Sequence, residues 1–207
     1  LSGEELSKSY GSLEIFTDVS AIIDKGSRVV ILGLNGAGKT TLLRILAGEL
    51  ESDTGSVAHG QGLKIGYYAQ EHESLDFERT ILENMMSATA NIREPEARNV
   101  LGSFLFSGDD VHKLVKVLSG GERTRLALAT LVVSAANVLL LDEPTNNLDP
   151  ASRDEILAAL SEYQGAVILV SHDEGAVQAL KPERVILLPD GDEDLWKEEY
   201  FDLVTID

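Results

Sequence analysis

The sequence predicts an α/β fold with a mainly parallel core β-sheet, an antiparallel β subdomain and a small helical subdomain. Three features predict it: short apolar runs without alternation, helical patterns between those runs, and stretches in which polar and apolar residues alternate. The apolar runs are rich in Val, Ile and Leu, as is typical of strands buried on both faces of a parallel sheet. Because such strands alternate with helices along the chain, a layered α/β architecture follows.

The individual elements follow from the same patterns. The apolar runs predict strands over residues 28–32, 137–141, 166–170 and 184–188, and the helical patterns cover residues 39–50, 121–134, 152–163 and 174–180. Residues 1–27 and 55–68 alternate and contain Gly, which indicates an antiparallel patch beside the main sheet. Residues 75–117 have helical periodicity without a strand signal. We therefore expect a core of residues 1–75 and 138–207 and a helical subdomain of residues 76–137.

Composition excludes several classes of protein. The chain has 207 residues, of which 43% are hydrophobic and 25% charged, the balance of a soluble globular protein. It contains no cysteine, which excludes disulfides and thiolate metal sites. The net charge of −18 argues against general nucleic-acid binding by this chain alone. Residues 190–207 hold eight acids against one lysine, and we expect them to form a solvated, partly mobile terminus. Since residue 1 is Leu, we expect a piece of a longer or processed protein.

A glycine-rich segment joins the first core strand to the first core helix. Residues 33–40, GLNGAGKT, match the pattern G-x-x-x-x-G-K-[ST] at each fixed position. The glycines permit conformations in which successive N–H groups surround an anion, and the helix dipole adds to that field. The motif predicts binding of ATP and Mg²⁺, with Lys39 reaching the β- and γ-phosphates and the Thr40 hydroxyl coordinating the metal. The other predicted nucleotide contacts of this segment are Asn35, Gly36, Ala37, Gly38 and Thr41.

Two adjacent carboxylates end another buried strand. Residues 137–143, NVLLLDE, lead to the edge of the sheet at which ligands bind in such folds. Neighbouring side chains at a strand end point in different directions, so the two acids have separate roles. We expect Asp142 to hold Mg²⁺ and Glu143 to polarise the attacking water.

Three further motifs accompany these two. Gln70 follows a strand pattern, residues 118–122, LSGGE, open a helix, and residues 171–173, SHD, follow the strand 166–170. The S-x-x-E spacing within LSGGE is also the capping box that begins helices. Taken in order, the phosphate loop, Gln70, LSGGE, LLLDEPTNNLD and SHD resemble the ATP-binding cassette (ABC) ATPase family over essentially the whole chain. The resemblance implies the P-loop NTPase fold of that family.

The resemblance also implies roles that the residues alone leave open. Gln70 matches a glutamine that contacts Mg²⁺ or the attacking water and links the two lobes. His172 matches a histidine that contacts the γ-phosphate during hydrolysis. Tyr10 matches an aromatic residue that stacks on adenine.

Part of the site is implied to come from a second molecule. Ser119, Gly120 and Gly121 match the family signature, which binds the γ-phosphate held by an opposing cassette, and Asp149 matches an aspartate that acts across that interface. A helix start of this kind presents N–H groups to an anion. The implied partner is therefore a second cassette, either a sister cassette in the same polypeptide or another copy of this chain.

Two functions compete within the family: a soluble ABC-F protein acting on the ribosome, and the ATPase subunit of a membrane transporter. LSGGERTRLALA and PTNNLD resemble ABC-F, although Asn147 and Glu174 stand where that class usually has His and often has Arg. A nucleotide binder without hydrolysis is disfavoured because Glu143 and His172 are both present. The helical subdomain has no inserted arm, and in this respect the chain resembles the second, C-terminal cassette of ABC-F proteins. We expect a cytoplasmic protein whose full-length form contacts the ribosome, with no membrane contact by this chain.

Overall fold

The computed structural model describes residues 1–69 and 74–206 as nine strands in two sheets with helices around them. The strands are β1 (Ser2–Tyr10), β2 (Leu13–Ile22), β3 (Arg28–Leu32), β4 (Thr54–Ala58), β5 (Ile65–Tyr68), β6 (Val138–Asp142), β7 (Ala166–Val170), β8 (Arg184–Leu187) and β9 (Asp192–Leu195). The main sheet has the order β5-β6-β7-β3-β8-β9, and its strands pair in parallel except for β9, which is antiparallel to β8. A separate antiparallel sheet has the order β2-β1-β4. This architecture confirms the predicted fold class.

Helices cover both faces of the main sheet. They are α1 (Lys39–Ala47), α2 (Ile81–Ser87), α3 (Glu94–Ser103), α4 (Gly120–Val133), α5 (Pro150–Ser161), α6 (Glu174–Leu180) and α7 (Phe201–Val204). Short 3₁₀ turns lie at Gly108–His112, Val115–Val117 and Glu198–Tyr200. Within the described part of the chain, no helix combines the length and the apolar character needed to cross a membrane. The division into subdomains at residues 76 and 137 stays a prediction.

The strand residues supply two hydrophobic cores because alternate side chains point to opposite faces of the sheet. On one face, Val30 and Leu169 belong to a core that includes residues of α2 to α6. On the other face, Ile31 and Ile168 belong to a core that includes residues of α1, β1 and β2. The carboxyl ends of β3, β6 and β7 therefore emerge between two packed layers, and the loops that follow them are brought together.

One predicted element is placed differently. The stretch 55–68 was expected to be antiparallel throughout, but only β4 joins the antiparallel sheet, whereas β5 pairs in parallel with β6. Gly66 explains how β5 fits against its neighbour, because a Cβ there would lie 2.8 Å from Leu139 Cδ2. Since β5 lies at an edge and contains this glycine, it lacks the continuous apolar run of the other core strands.

The acidic terminus contains regular secondary structure. Gly191, with φ of 79°, donates its N–H to Leu187 O, and the turn there brings β9 back beside β8. Trp196 then packs edge-on against Phe201, with 5.1 Å between the ring centroids. Arg184 pairs with Glu193 at 2.5 Å. The acids are largely solvated, as predicted, but the segment is folded onto the sheet.

Candidate active site

The phosphate loop lies where β3 turns into α1. Gly38 begins the helix with φ of 94°, a left-handed conformation that L side chains rarely adopt. A Cβ at this position would also lie 2.5 Å from Ile15 Cγ2 and 2.8 Å from Phe16 Cδ1. The close approach of β2 thus gives a second reason for glycine, and the antiparallel sheet helps to shape the loop.

A chain of polar contacts runs from the phosphate loop to the loop after β7. Lys39 Nζ donates to Gly33 O at 2.7 Å and lies 3.1 Å from His172 Nε2. On the other side of the imidazole, His172 Nδ1 contacts the Glu143 carboxylate, which also accepts the His172 backbone N–H at 3.2 Å. Because an ammonium group can only donate, this contact favours the tautomer in which Nε2 accepts and Nδ1 carries the proton.

A second pair lies beside this chain. The Thr40 hydroxyl donates to Asp142 Oδ2 at 2.7 Å, and Asp142 is 8% exposed. Burial raises the pKa of the Asp142 carboxyl, and the hydrogen bond from Thr40 and the charge of Lys39 oppose that rise. Among residues 1–69 and 74–206, no group of three or more acidic, His or Cys side chains could hold a metal. Two oxygen ligands fit Mg²⁺, which proteins commonly bind through one or two side chains together with substrate phosphates.

Glu143 is held in an unusual conformation. Its φ is 50°, in the left-handed region, and its backbone N–H donates to Val170 O at 2.8 Å. A side chain of this size in that region costs about 1–3 kcal/mol, which the surrounding contacts must offset. Burial raises the pKa of the Glu143 carboxyl, while the adjacent His172 opposes the rise. A raised pKa suits a carboxylate that accepts a proton near neutral pH.

These groups line one cavity of about 380 Å³, within the usual size range of small-molecule sites. Its predicted lining residues are Asn35, Gly36, Gly38, Lys39, Thr40, Thr41, Asp142, Glu143 and His172. Ile15, Asn146 and Val170 also line it and were not predicted. Asn146 lies within the quoted PTNNLD motif and could have been inferred from it. Ile15 carries no such signal, because only the packing of β2 brings it to the loop.

Of the residues predicted for this chain's own half of the site, Ala37 and Tyr10 do not line this cavity. Ala37 belongs to the phosphate loop, but its side chain is buried in the core that includes α1, with 7% exposure. Tyr10 ends β1 and is 48% exposed, with Lys8 Nζ 5.4 Å from its ring centroid. Gln70 lies outside the described residues. The roles predicted for Tyr10 and Gln70 therefore stay predictions.

The signature residues lie at the start of α4. Ser119 Oγ accepts the Glu122 N–H at 3.2 Å, and Glu122 Oε1 accepts the Ser119 N–H at 3.1 Å, which completes the capping box. Ser119 and Gly120 are exposed and do not line the cavity. A Cβ at Gly121 would lie 2.7 Å from Asn147 O, so this position packs closely against the loop after β6.

Asp149 has a structural role within the chain. Its carboxylate accepts the Ser152 N–H at 3.2 Å and the Ser152 hydroxyl at 2.5 Å, which caps the N-terminus of α5. These hydrogen bonds lower the pKa of the Asp149 carboxyl. Action of Asp149 across an interface between cassettes stays a prediction.

Comparison with known proteins identifies a family and several relatives. The family model described as ABC transporter matches residues 16–146. The probable ATP-binding protein YbiT of Escherichia coli O157:H7 is 41% identical over 193 residues, covering 88% of this chain and 36% of YbiT. The energy-dependent translational throttle protein EttA of Haemophilus influenzae is 41% identical over 174 residues, covering 82% of this chain and 31% of EttA. The chain thus spans about a third of the length of these relatives.

A solved structure shares the fold. It is the dimeric structure of a post-hydrolysis state of the ATP-binding cassette MJ0796 bound to ADP and Pi. The TM-score is 0.77 with 23% sequence identity, and the match covers 95% of this chain and 99% of that one.

Proposed function

The chain belongs to the ABC transporter family as an ATP-binding cassette, and from this premise we propose that it hydrolyses Mg-ATP as one half of a head-to-tail cassette pair. The observation that carries the proposal is the contact chain from Lys39 through His172 to Glu143, which lies beside the pair of Thr40 and Asp142. One cavity therefore holds a phosphate-binding cation, a pair of oxygen ligands for Mg²⁺ and a carboxylate base.

Binding of ATP exchanges the partners of Lys39. In the structure, its ammonium group donates to Gly33 O and contacts His172. Phosphate oxygens are charged acceptors and form stronger hydrogen bonds than a neutral carbonyl does, so Lys39 turns toward the β- and γ-phosphates. Thr40 and Asp142 would hold Mg²⁺, which when bound neutralises charge on the phosphates.

Hydrolysis then depends on Glu143. Its carboxylate orients the attacking water and draws a proton from it, as a base with a raised pKa can. His172 contacts this carboxylate through Nδ1, and its Nε2 faces the same cavity as Lys39. As Lys39 moves to the phosphates, Nε2 becomes available to the γ-phosphate.

The second half of the site comes from a partner cassette. Ser119 and Gly120 are exposed at the start of α4, where the positive end of the helix dipole favours an anion. They do not line this chain's own cavity, which supports the role that the family resemblance implies, binding of a phosphate held by another cassette. A sister cassette in the same polypeptide or a second copy of this chain supplies that phosphate, and Asp149 acts across the same interface.

The finer assignment is to the second, C-terminal cassette of a cytoplasmic ABC-F protein acting on the ribosome. The LSGGERTRLALA and PTNNLD motifs support it, and so does similarity to EttA, whose name describes a translational throttle. The alternative is the ATPase subunit of a membrane transporter. The charge of −18 opposes contact with RNA, but residues 76–137 carry seven basic and eight acidic residues and are nearly neutral. RNA contacts would then come mainly from other parts of the whole protein, with any contacts of this chain confined to local basic spots.

The full-length protein with Glu143→Gln is expected to sediment with ribosomes in ATP and to be released at high salt, because phosphate contacts weaken as salt rises. Sucrose-cushion centrifugation with ATP and with ADP measures this, and the same protein carrying Lys39→Ala as well is the control that lacks the main phosphate contact. Fractionation with membranes together with a transmembrane partner would favour the transporter alternative.

A further inference from the structure

The loops that carry Glu143 and His172 are joined by a hydrogen bond that the catalytic scheme does not use. Thr145 follows Glu143 by two residues and is only 6% exposed. Its hydroxyl donates to Asp173 Oδ2 at 3.1 Å, and Asp173 directly follows His172. We infer that Thr145 and Asp173 are positioning residues that hold the Glu143 carboxylate against the His172 imidazole. The inference rests on the proposed hydrolytic function.

Asp173 is a fixed anchor for this bond. Its Oδ1 accepts the Gly175 N–H at 2.9 Å and caps α6, and its own N–H donates to Ser171 Oγ at 3.0 Å. Arg153 of α5 lies 3.6 Å from Asp173 Oδ2. Because the start of α6 and Arg153 of α5 both contact the Asp173 carboxylate, the loop after β6 docks onto a group that is already in place.

Glu143 needs such an anchor because of its backbone conformation. Its φ of 50° is strained, and only the surrounding contacts keep the residue there. Glu143 O accepts the Asn146 N–H at 3.3 Å, and Thr145 O accepts the Leu148 N–H at 3.1 Å, so the residues after Glu143 form a tight turn. The Thr145 hydroxyl fastens that turn to the loop of His172. Without it, the turn can rotate and carry the Glu143 carboxylate away from the imidazole.

A positioning role and a purely structural role predict different kinetics. If the bond aligns the base, its loss lowers kcat and leaves KM for ATP unchanged, since Lys39 and the phosphate loop are untouched. If the bond only stabilises the fold, its loss lowers the melting temperature, and the protein that remains folded hydrolyses ATP at the normal rate.

The test compares Thr145→Val, which keeps the shape of the side chain and removes the hydroxyl, with Thr145→Ser, which retains the hydroxyl. We expect Thr145→Val to lower kcat about 10- to 100-fold with unchanged KM, as small misplacements of catalytic groups do. Thr145→Ser should keep most of the kcat of the unmodified chain, because it retains the hydroxyl. Thr130→Val is the matched control, because the Thr130 hydroxyl bonds only within α4, to Ala127 O. Should Thr145→Val fail to fold, Thr145→Ala takes its place.

Two outcomes would overturn the inference: a normal kcat for folded Thr145→Val, or equal losses in the Val and Ser variants. Glu143→Gln is assayed in parallel. If Glu143→Gln itself retains normal turnover, the proposed function fails, and that failure is distinguishable from failure of the Thr145 bond alone.

Discussion

Glu143→Gln is expected to lower the rate of ATP hydrolysis by about 10²- to 10⁴-fold, the usual contribution of a positioned base. The amide keeps the size of the carboxylate but cannot accept a proton from water. ATP binding should be retained, because Lys39, Thr40 and the amides of the phosphate loop make the contacts to the phosphates. Phosphate release in single-turnover conditions measures the rate, and titration with a fluorescent ATP analogue measures binding.

The control for this variant is Glu155→Gln, the same change at an exposed position of α5. It should leave both measurements unchanged. Near-normal turnover by Glu143→Gln would remove Glu143 from the catalytic scheme and leave its buried, strained position without a catalytic explanation.

Lys39→Ala is expected to weaken ATP binding by about 10- to 100-fold, which corresponds to the loss of a charged hydrogen bond of about 1.5–3 kcal/mol. The loop amides remain, but they do not neutralise the charge of the triphosphate. Lys39→Arg should bind with intermediate affinity, because it keeps the charge and changes the geometry of the donors. Equilibrium titration with ATP measures the dissociation constants.

Lys25→Ala, an exposed lysine outside the cavity, is the matched control for this series and should bind ATP normally. An unchanged dissociation constant for Lys39→Ala would mean that the triphosphate binds elsewhere on the chain.

Much of the fold could be predicted because its strands are buried on both faces. The structure has β3 and β7 at their predicted bounds, since a continuous apolar run there requires burial on two sides. The edge strands of the main sheet were harder to predict from the sequence. β5 contains Gly66 and β9 is acidic, so neither resembles a buried strand, and each is defined by pairing with a distant or antiparallel neighbour. Such tertiary pairing overrides local preference.

The site was predictable to the extent that motifs determine it. Residues of the phosphate loop and the two acids at the end of β6 line one cavity, as expected from their places at strand ends. The contact between Lys39 and His172 joins residues 133 positions apart, and the bond between Thr145 and Asp173 likewise links two separate loops. Neither contact has a signature in local sequence. The first depends on β3 lying beside β7 in the sheet, and the second depends on β6 lying beside β7.

If two cassettes complete one site, mixing two inactive variants should restore activity. Lys39→Ala loses the phosphate loop but keeps the signature. Gly120→Asp keeps the phosphate loop and puts a negative charge on the signature. A Cβ at Gly120 meets no atom within 4 Å, so this change should leave the fold intact, and Gly120→Ala is its control. Each variant alone should be nearly inactive.

In a random mixture, half of the pairs contain both variants, and each such pair has one site built from two intact halves. The steady-state ATPase rate of an equimolar mixture should therefore approach about a quarter of the rate of the unmodified chain, and it should rise with protein concentration. A mixture whose rate is only the mean of the two separate variants, at saturating ATP and high protein concentration, would contradict the account of a site completed by a second copy.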